Sequence, residues 1–181
     1  MIAYKLTDQG MNTYGYTHWT LGEWKETNGE GDLCSPGWLH YYSHPLLAVF
    51  LNPTHAHFAN PRLFEIEVAG DIKEDCGLKF GCTKMRLVRE LQLPAVTVEQ
   101  RVKFAIYCAL EVCADPAFVK WANGWLDGTD RSKAAAAYIN AAYAADAAYY
   151  AARAVKEKPL DLIKIAKKAK AKVAKKAKAM E

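Results

Sequence analysis

Hydrophobic and polar positions alternate in one register over the first half of the chain and in another over the second. Leu63-Phe64-Glu65-Ile66-Glu67-Val68 alternates apolar and acidic residues. That period of two predicts a strand with one buried and one wet face. Weaker strand signals lie at Met1 to Leu6 and Met85 to Leu91. Turn sequences Gly29-Glu30-Gly31-Asp32, Ser35-Pro36-Gly37, Asn52-Pro53 and Asn60-Pro61 punctuate the same region. Between them the apolar run Pro45 to Leu51 reads as a short helix, capped by His44 or Ser43 and stopped by Asn52-Pro53.

From Thr97 the period changes. Thr97-Val98-Glu99-Gln100 has the form of a capping box, and Val102, Ala105, Ile106, Ala109, Leu110 and Cys113 follow at helical spacing. Asp115-Pro116 is an N-cap with proline in the first turn of a second helix, whose Phe118, Trp121, Ala122 and Trp125 share a face and which Gly128 closes. Thr129 or Asp130 then caps a third helix, Arg131 to Glu157, dominated by alanine. Pro159 ends it. Ile139, Tyr143, Asp146 and Tyr150 form a narrow seam on that helix, which asks for a partner helix: the one at 98–113, or a second copy in a homo-oligomer. The expected fold is α+β: a small mixed or antiparallel sheet with short helices over 1–97, a helical segment over 98–157 ending in the long Ala/Tyr helix, and a basic helical tail over 158–181.

Charge sharpens this division. Residues 153–181 hold 11 Lys/Arg against 3 Asp/Glu, while residues 1–152 hold 13 against 17, so a net +4 conceals −4 followed by +8. The basic segment carries Lys164, Lys167, Lys168, Lys170, Lys172, Lys175, Lys176 and Lys178 among alanines, with a thin apolar stripe of Leu162, Ala166, Ala169, Val173, Ala177 and Met180. Clustered lysines that reach phosphates release counterions, which gives sequence-independent, salt-steep affinity for nucleic acid. Lysine lacks the fork of arginine, so base readout is not expected. The composition looks like the tails of linker histones and bacterial histone-like proteins. A solvated solubility tail and attachment to an anionic membrane are the competing readings, the latter weakened by the lack of Trp, Phe or Leu anchors on the stripe.

The cysteines, 5 in number and irregularly spaced with no apolar leader before them, suggest a reduced cytoplasmic setting. No apolar run approaches the ~20 residues of a membrane span. His40, His44, His55 and His57, with Cys34, Cys76 and Cys82, match no zinc template, so neither a metal nor any other cofactor is expected. No dinucleotide, Walker or nucleophile-elbow motif is present. Trp121 and Trp125, four residues apart, read as core, whereas Trp19 and Trp24 are freer to line a pocket.

Two resemblances bear on function. The run Gly37-Trp38-Leu39-His40-Tyr41-Tyr42-Ser43-His44-Pro45 through Ala56, Gly77-Leu78-Lys79-Phe80-Gly81-Cys82, Phe104 to Val112 and Trp121 to Ser132 together resemble an uncharacterised family of small tailed-phage and prophage proteins with an alanine-rich C-terminal extension. That resemblance covers about residues 30–132 and implies a phage or prophage origin; the setting expected is the host-cell cytoplasm, with a phage or host protein as partner. Lys5, Ser43 and Glu65-x-Glu67 loosely resemble, in order, the basic, serine and paired-glutamate residues of mono-ADP-ribosyltransferases, although Lys5 replaces an Arg or His and Ser43 lacks its Ser-x-Ser context. The expectation is a non-enzymatic binding protein whose tail attaches to nucleic acid while the body docks a protein. The alternatives are a phage inhibitor of a host defence protein acting through the acidic body, and a nucleotide-acting enzyme using the His40 to Glu67 region.

Overall fold

The computed structural model describes residues 2–130, 141–154 and 159–171. Its elements are β1 (Ala3–Thr7), β2 (Asn12–Thr13), β3 (Thr17–His18), β4 (Trp24–Glu26), β5 (Leu39–Tyr41), α1 (Pro45–His55), β6 (Arg62–Asp75), β7 (Lys79–Leu91), α2 (Val98–Leu110), α3 (Pro116–Asp127), α4 (Ala141–Ala154) and α5 (Leu162–Lys170). The chain is α+β, with an antiparallel sheet in the order β1-β6-β7-β4 and β5 pairing with β7 beside β4. Tyr4 and Tyr42 exchange two backbone hydrogen bonds, Tyr4 N–H to Tyr42 O (2.9 Å) and Tyr42 N–H to Tyr4 O (2.8 Å), so β5 meets β1 and the sheet curls round on itself.

The strands β6 and β7 are far longer than their alternating stretches. A register shift between Ala69 and Ile72 lets the ribbon bend, and Gly70 sits there at φ 74°, a left-handed conformation that glycine adopts without strain. Asp71 N–H donates to Thr83 Oγ1 (2.9 Å) across this bulge. The concave face gathers Ala3, Leu39, Tyr41, Phe64, Ile66, Cys82, Met85 and Leu87 under Trp19. Trp19 is thus a core residue rather than a pocket wall, its indole N–H donating to Thr13 Oγ1 (3.0 Å).

The opposite face, through Leu6, Tyr42 and Leu63, packs on helices α1, α2, α4 and α5 in one continuous core with Leu47, Phe50, Phe104, Cys108, Ala152, Leu162 and Ile165. Phe50 stacks on Phe104 with centroids 4.6 Å apart. A third cluster joins α3 to α2 through Val102, Ile106, Ala122 and Trp125. The main core therefore takes residues from all three sequence segments.

The helix starts follow the capping signals. Gln100 N–H donates to Thr97 Oγ1 (3.2 Å) and Thr97 N–H to Gln100 Oε1 (2.9 Å), completing the capping box of α2. Asp115 caps α3 through Phe118 N–H (2.8 Å), and Gly128 closes it at φ 85°. His44 caps α1, its Nδ1 accepting from Leu46 N–H (3.1 Å). Contrary to expectation, α1 does not stop at Asn52-Pro53 but runs on to His55 with Pro53 inside it. Proline has no N–H for the carbonyl four residues back, that of Val49. Arg101 Nη1 donates to Val49 O instead (2.7 Å), so a side chain of α2 replaces the missing helical bond.

Candidate nucleic-acid interface

The lysine segment is rooted in the fold. Asp161 caps α5 by accepting from Lys164 N–H (2.9 Å), and Leu162, Ile165, Ala166 and Ala169 lie buried at helical spacing. Leu162 is 3% exposed and Ile165 7%. The apolar stripe read from the sequence omitted Ile165 and gave the charge precedence over it; over residues 162–169 apolar burial holds the segment against α1 and α2. The far end is tied as well, since Gln100 Nε2 donates to Lys170 O (2.9 Å). One glutamine amide thus serves the N-terminus of α2 with its oxygen and the C-terminus of α5 with its nitrogen.

This packing sorts the predicted site residues. Lys164, Lys167 and Lys168 point to solvent, and none of them forms an ion pair among the described residues. Lys168 Nζ lies 3.9 Å from the centroid of Tyr107, a cation–π contact that steadies its stem while its outer side stays wet. Lys170 is half-buried, and three lysines in the last turn complement the negative end of the helix dipole. Lys172, Lys175, Lys176 and Lys178 lie outside the described residues, as do Val173, Ala177 and Met180 of the stripe.

The alanine-rich helix finds its neighbours within the chain. Over its described part, α4 packs on α1 and α2, burying Ala151 and Ala152, and Asp146 of the seam accepts from Thr54 Oγ1 of α1 (3.0 Å). Ile139 lies outside the described residues. Arg153 reaches the end of β6, where Nε (3.1 Å) and Nη2 (3.0 Å) meet the buried carboxylate of Asp75. On the other flank of the same β6–β7 turn, Leu162 Cδ1 lies 4.0 Å from the position a Cβ on Gly77 would occupy. Both helices therefore reach the β6–β7 turn.

The histidines are spent on separate tasks. His40 Nε2 contacts the Leu33 carbonyl, and burial lowers its pKa. His44 is occupied as a cap, held below its usual range by burial and then by nearby Lys167. His55 stacks on Tyr42 (5.9 Å) and shares a hydrogen bond with its hydroxyl (3.2 Å). Burial, followed by the charges of Lys79, His40 and Arg153, pushes His55 down to about 3. His57 Nδ1 meets Pro53 O (3.1 Å). Among the described residues no three His, Cys, Asp or Glu side chains gather as a metal site would require. Cys34 is exposed with Lys79 Nζ at 3.1 Å, whereas Cys82 and Cys108 are buried and desolvation raises both thiols, Cys82 to about 11.

The residues of the nucleotide-enzyme reading do not converge. In the β1–β6 register Lys5 stands opposite Phe64 and Tyr4 opposite Glu65, which puts Lys5 and Glu65 on opposite faces of the sheet. Lys5 Nζ donates to His40 O (2.7 Å), lies 4.7 Å from the Trp19 ring, and is held down to about 8 by desolvation. Glu65 and Glu67 each engage a cross-strand arginine, Arg89 (2.7 Å) and Arg86 (2.6 Å). They belong to a ladder that Lys84–Glu26 extends, while Arg62–Glu90 pairs on the Phe64 face of the sheet. Trp24 lies against the same ladder, 5.3 Å from Lys84 and 4.9 Å from Arg86. Among the described residues no helix is long and apolar enough to cross a membrane.

A curled antiparallel sheet with four helices packed on one face, the cationic α5 among them, defines a class of α+β protein that presents charge from a packed element. The chain belongs to the family described as Domain of unknown function (DUF7666), which it matches over residues 1–99, more than half of its 181 residues. The matched region holds the whole sheet and α1 and ends inside the first turn of α2. No curated protein and no solved structure matches the chain.

Proposed function

We propose that this is a non-enzymatic binding protein of phage or prophage origin that attaches to nucleic acid, without sequence preference, through the lysines that begin on α5, while the body docks a phage or host protein. The observation that carries this reading is the orientation of α5. Its apolar face is buried, and Lys164, Lys167 and Lys168 stand on the outside with no ion pair among the described residues. A fixed cationic face loses less conformational freedom on meeting phosphates than a floppy tail does.

The test is binding of labelled duplex DNA and single-stranded RNA across a salt series, by the full chain and by a variant with Lys167, Lys168, Lys172, Lys175 and Lys176 changed to Gln. Each lost phosphate contact lowers the slope of log affinity against log salt by about 0.9 on duplex. The expected slope change is therefore about 4.5 if all five lysines touch phosphates. Equal affinity and slope for the two proteins would refute the proposal.

A further inference from the structure

We propose that the exposed ring of Tyr150 is a stacking platform for an unpaired base, and that the preferred ligand of the lysine surface is therefore single-stranded nucleic acid. This deepens the reading above and rests on it.

Tyr150 is 71% exposed, yet it stands at the end of a fixed aromatic series. Tyr42, buried, stacks on His55; His55 meets Tyr149 edge-on at 6.1 Å; Tyr149 meets Tyr150 edge-on at 5.6 Å. Arg153 lies 4.6 Å over Tyr149 and is itself locked on Asp75. Each ring is held by the one behind it back to the core, so the outermost is presented to solvent in a set position. A large exposed aromatic that is also preorganised suits a flat partner, since little freedom remains to be lost on stacking.

The placement supplies the second half of the argument. Arg153 and Leu162 both reach the β6–β7 turn, so the end of α4 that carries Tyr150, one helical turn before Arg153, and the first turn of the lysine-bearing α5 converge on that turn. Surfaces that hold single strands combine cations for the backbone with aromatic faces for successive bases. In a duplex the bases are stacked on one another and offer no face to such a ring. Lysines serve both forms of nucleic acid, so the proposal assigns the preference between them to Tyr150.

The experiment uses the full chain with a labelled oligothymidine and a duplex of equal length, at one salt concentration, for the wild type, Tyr150→Ala, Tyr150→Trp and the five-lysine variant. Tyr150→Ala is expected to weaken oligothymidine binding about tenfold, within the range of one base–aromatic stack, with duplex affinity unchanged. Tyr150→Trp is expected to restore it, and the five-lysine variant to weaken both ligands. Equal loss on both ligands, or no loss on either, would overturn the platform while leaving lysine-mediated attachment in place. A fall in particle mass by light scattering on Tyr150→Ala would also overturn it, assigning the ring to contact between copies. If the wild type binds neither ligand, the attachment reading itself fails.

Discussion

Replacing Ile165 by Ala tests whether the basic segment is part of the folded core. The substitution removes three carbons from a side chain that is 7% exposed and packed in the main core. At about 0.8 kcal/mol per buried carbon the transfer loss is about 2.4 kcal/mol, and the cavity left between α5 and its neighbours adds to it. A total of about 3 kcal/mol lies inside the range of about 2–5 kcal/mol for such truncations. For a chain of 181 residues this lowers Tm by about 6–12 °C. The measurement is urea denaturation followed by far-ultraviolet circular dichroism and tryptophan fluorescence, with Lys167→Gln beside it as a surface control expected within about 0.5 kcal/mol of wild type. An Ile165→Ala change below about 0.5 kcal/mol would show that the helix is not seated, and the rooted cationic face would have to be abandoned. The same reasoning explains why substitution rather than removal of residues 159–181 tests the lysines: removal also takes Leu162, Ile165, Ala166 and Ala169 from the core.

Arg101→Met is expected to cost about 1–3 kcal/mol by leaving the Val49 carbonyl without its donor, and Pro53→Ala in that background to recover part of the loss by restoring a helical N–H; additive effects in the double-mutant cycle would refute the coupling. Burial holds Lys5 at about 8 when folded, whereas an unfolded lysine keeps its proton to about 10.4. Between those values the unfolded chain binds more protons, so wild-type stability should rise with pH relative to Lys5→Met by on the order of 3 kcal/mol. The raised Cys82 thiol acts in the opposite direction in both proteins, and a flat difference curve would contradict the buried charge. His55, pushed down to about 3, should show imidazole resonances that do not move between pH 7 and 4, while its unfolded form takes up a proton near 6.5 and stability falls as pH drops through that window; a midpoint near 6.5 in the folded protein would refute its burial.

Local chemistry made much of the architecture readable. Thr97 to Gln100, Asp115-Pro116 and Gly128 act where their sequence patterns put them, because caps depend on neighbours only a few residues away. The alternation over Leu63 to Val68 located β6 but not its length, since beyond the bulge at Gly70 the strand runs through exposed charged residues held by their partners on β7 rather than by a buried face. Pro53 misled for a related reason: the proline rule assumes that no other donor reaches the freed carbonyl, and Arg101 comes from 52 residues away to supply one. Trp19 looked like a pocket residue because nothing near it in sequence shows that the sheet curls beneath it.

The basic segment shows the same limit from the other side. Its charge was visible at once, and its apolar positions, Leu162, Ile165, Ala166 and Ala169, were equally present, but two of the four are alanines that score weakly on any hydrophobic scale. Alanine counts here through closeness rather than area, because a small side chain lets α5 approach α1 and α2 closely enough for Leu162 and Ile165 to reach the core. The exposed Tyr150 was likewise legible only as part of a seam. What gives it a role is the series behind it, in which Tyr42 and His55 come from the sheet and α1 and Tyr149 from a helix nearly one hundred residues later. A charge run fixes which kind of partner a surface attracts, while the elements packed beneath that run decide whether the attraction comes with a fixed geometry. In this chain the lysines of α5 and the aromatic series ending at Tyr150 are each anchored in the main core, and the proposed preference for single strands rests on that anchoring rather than on charge.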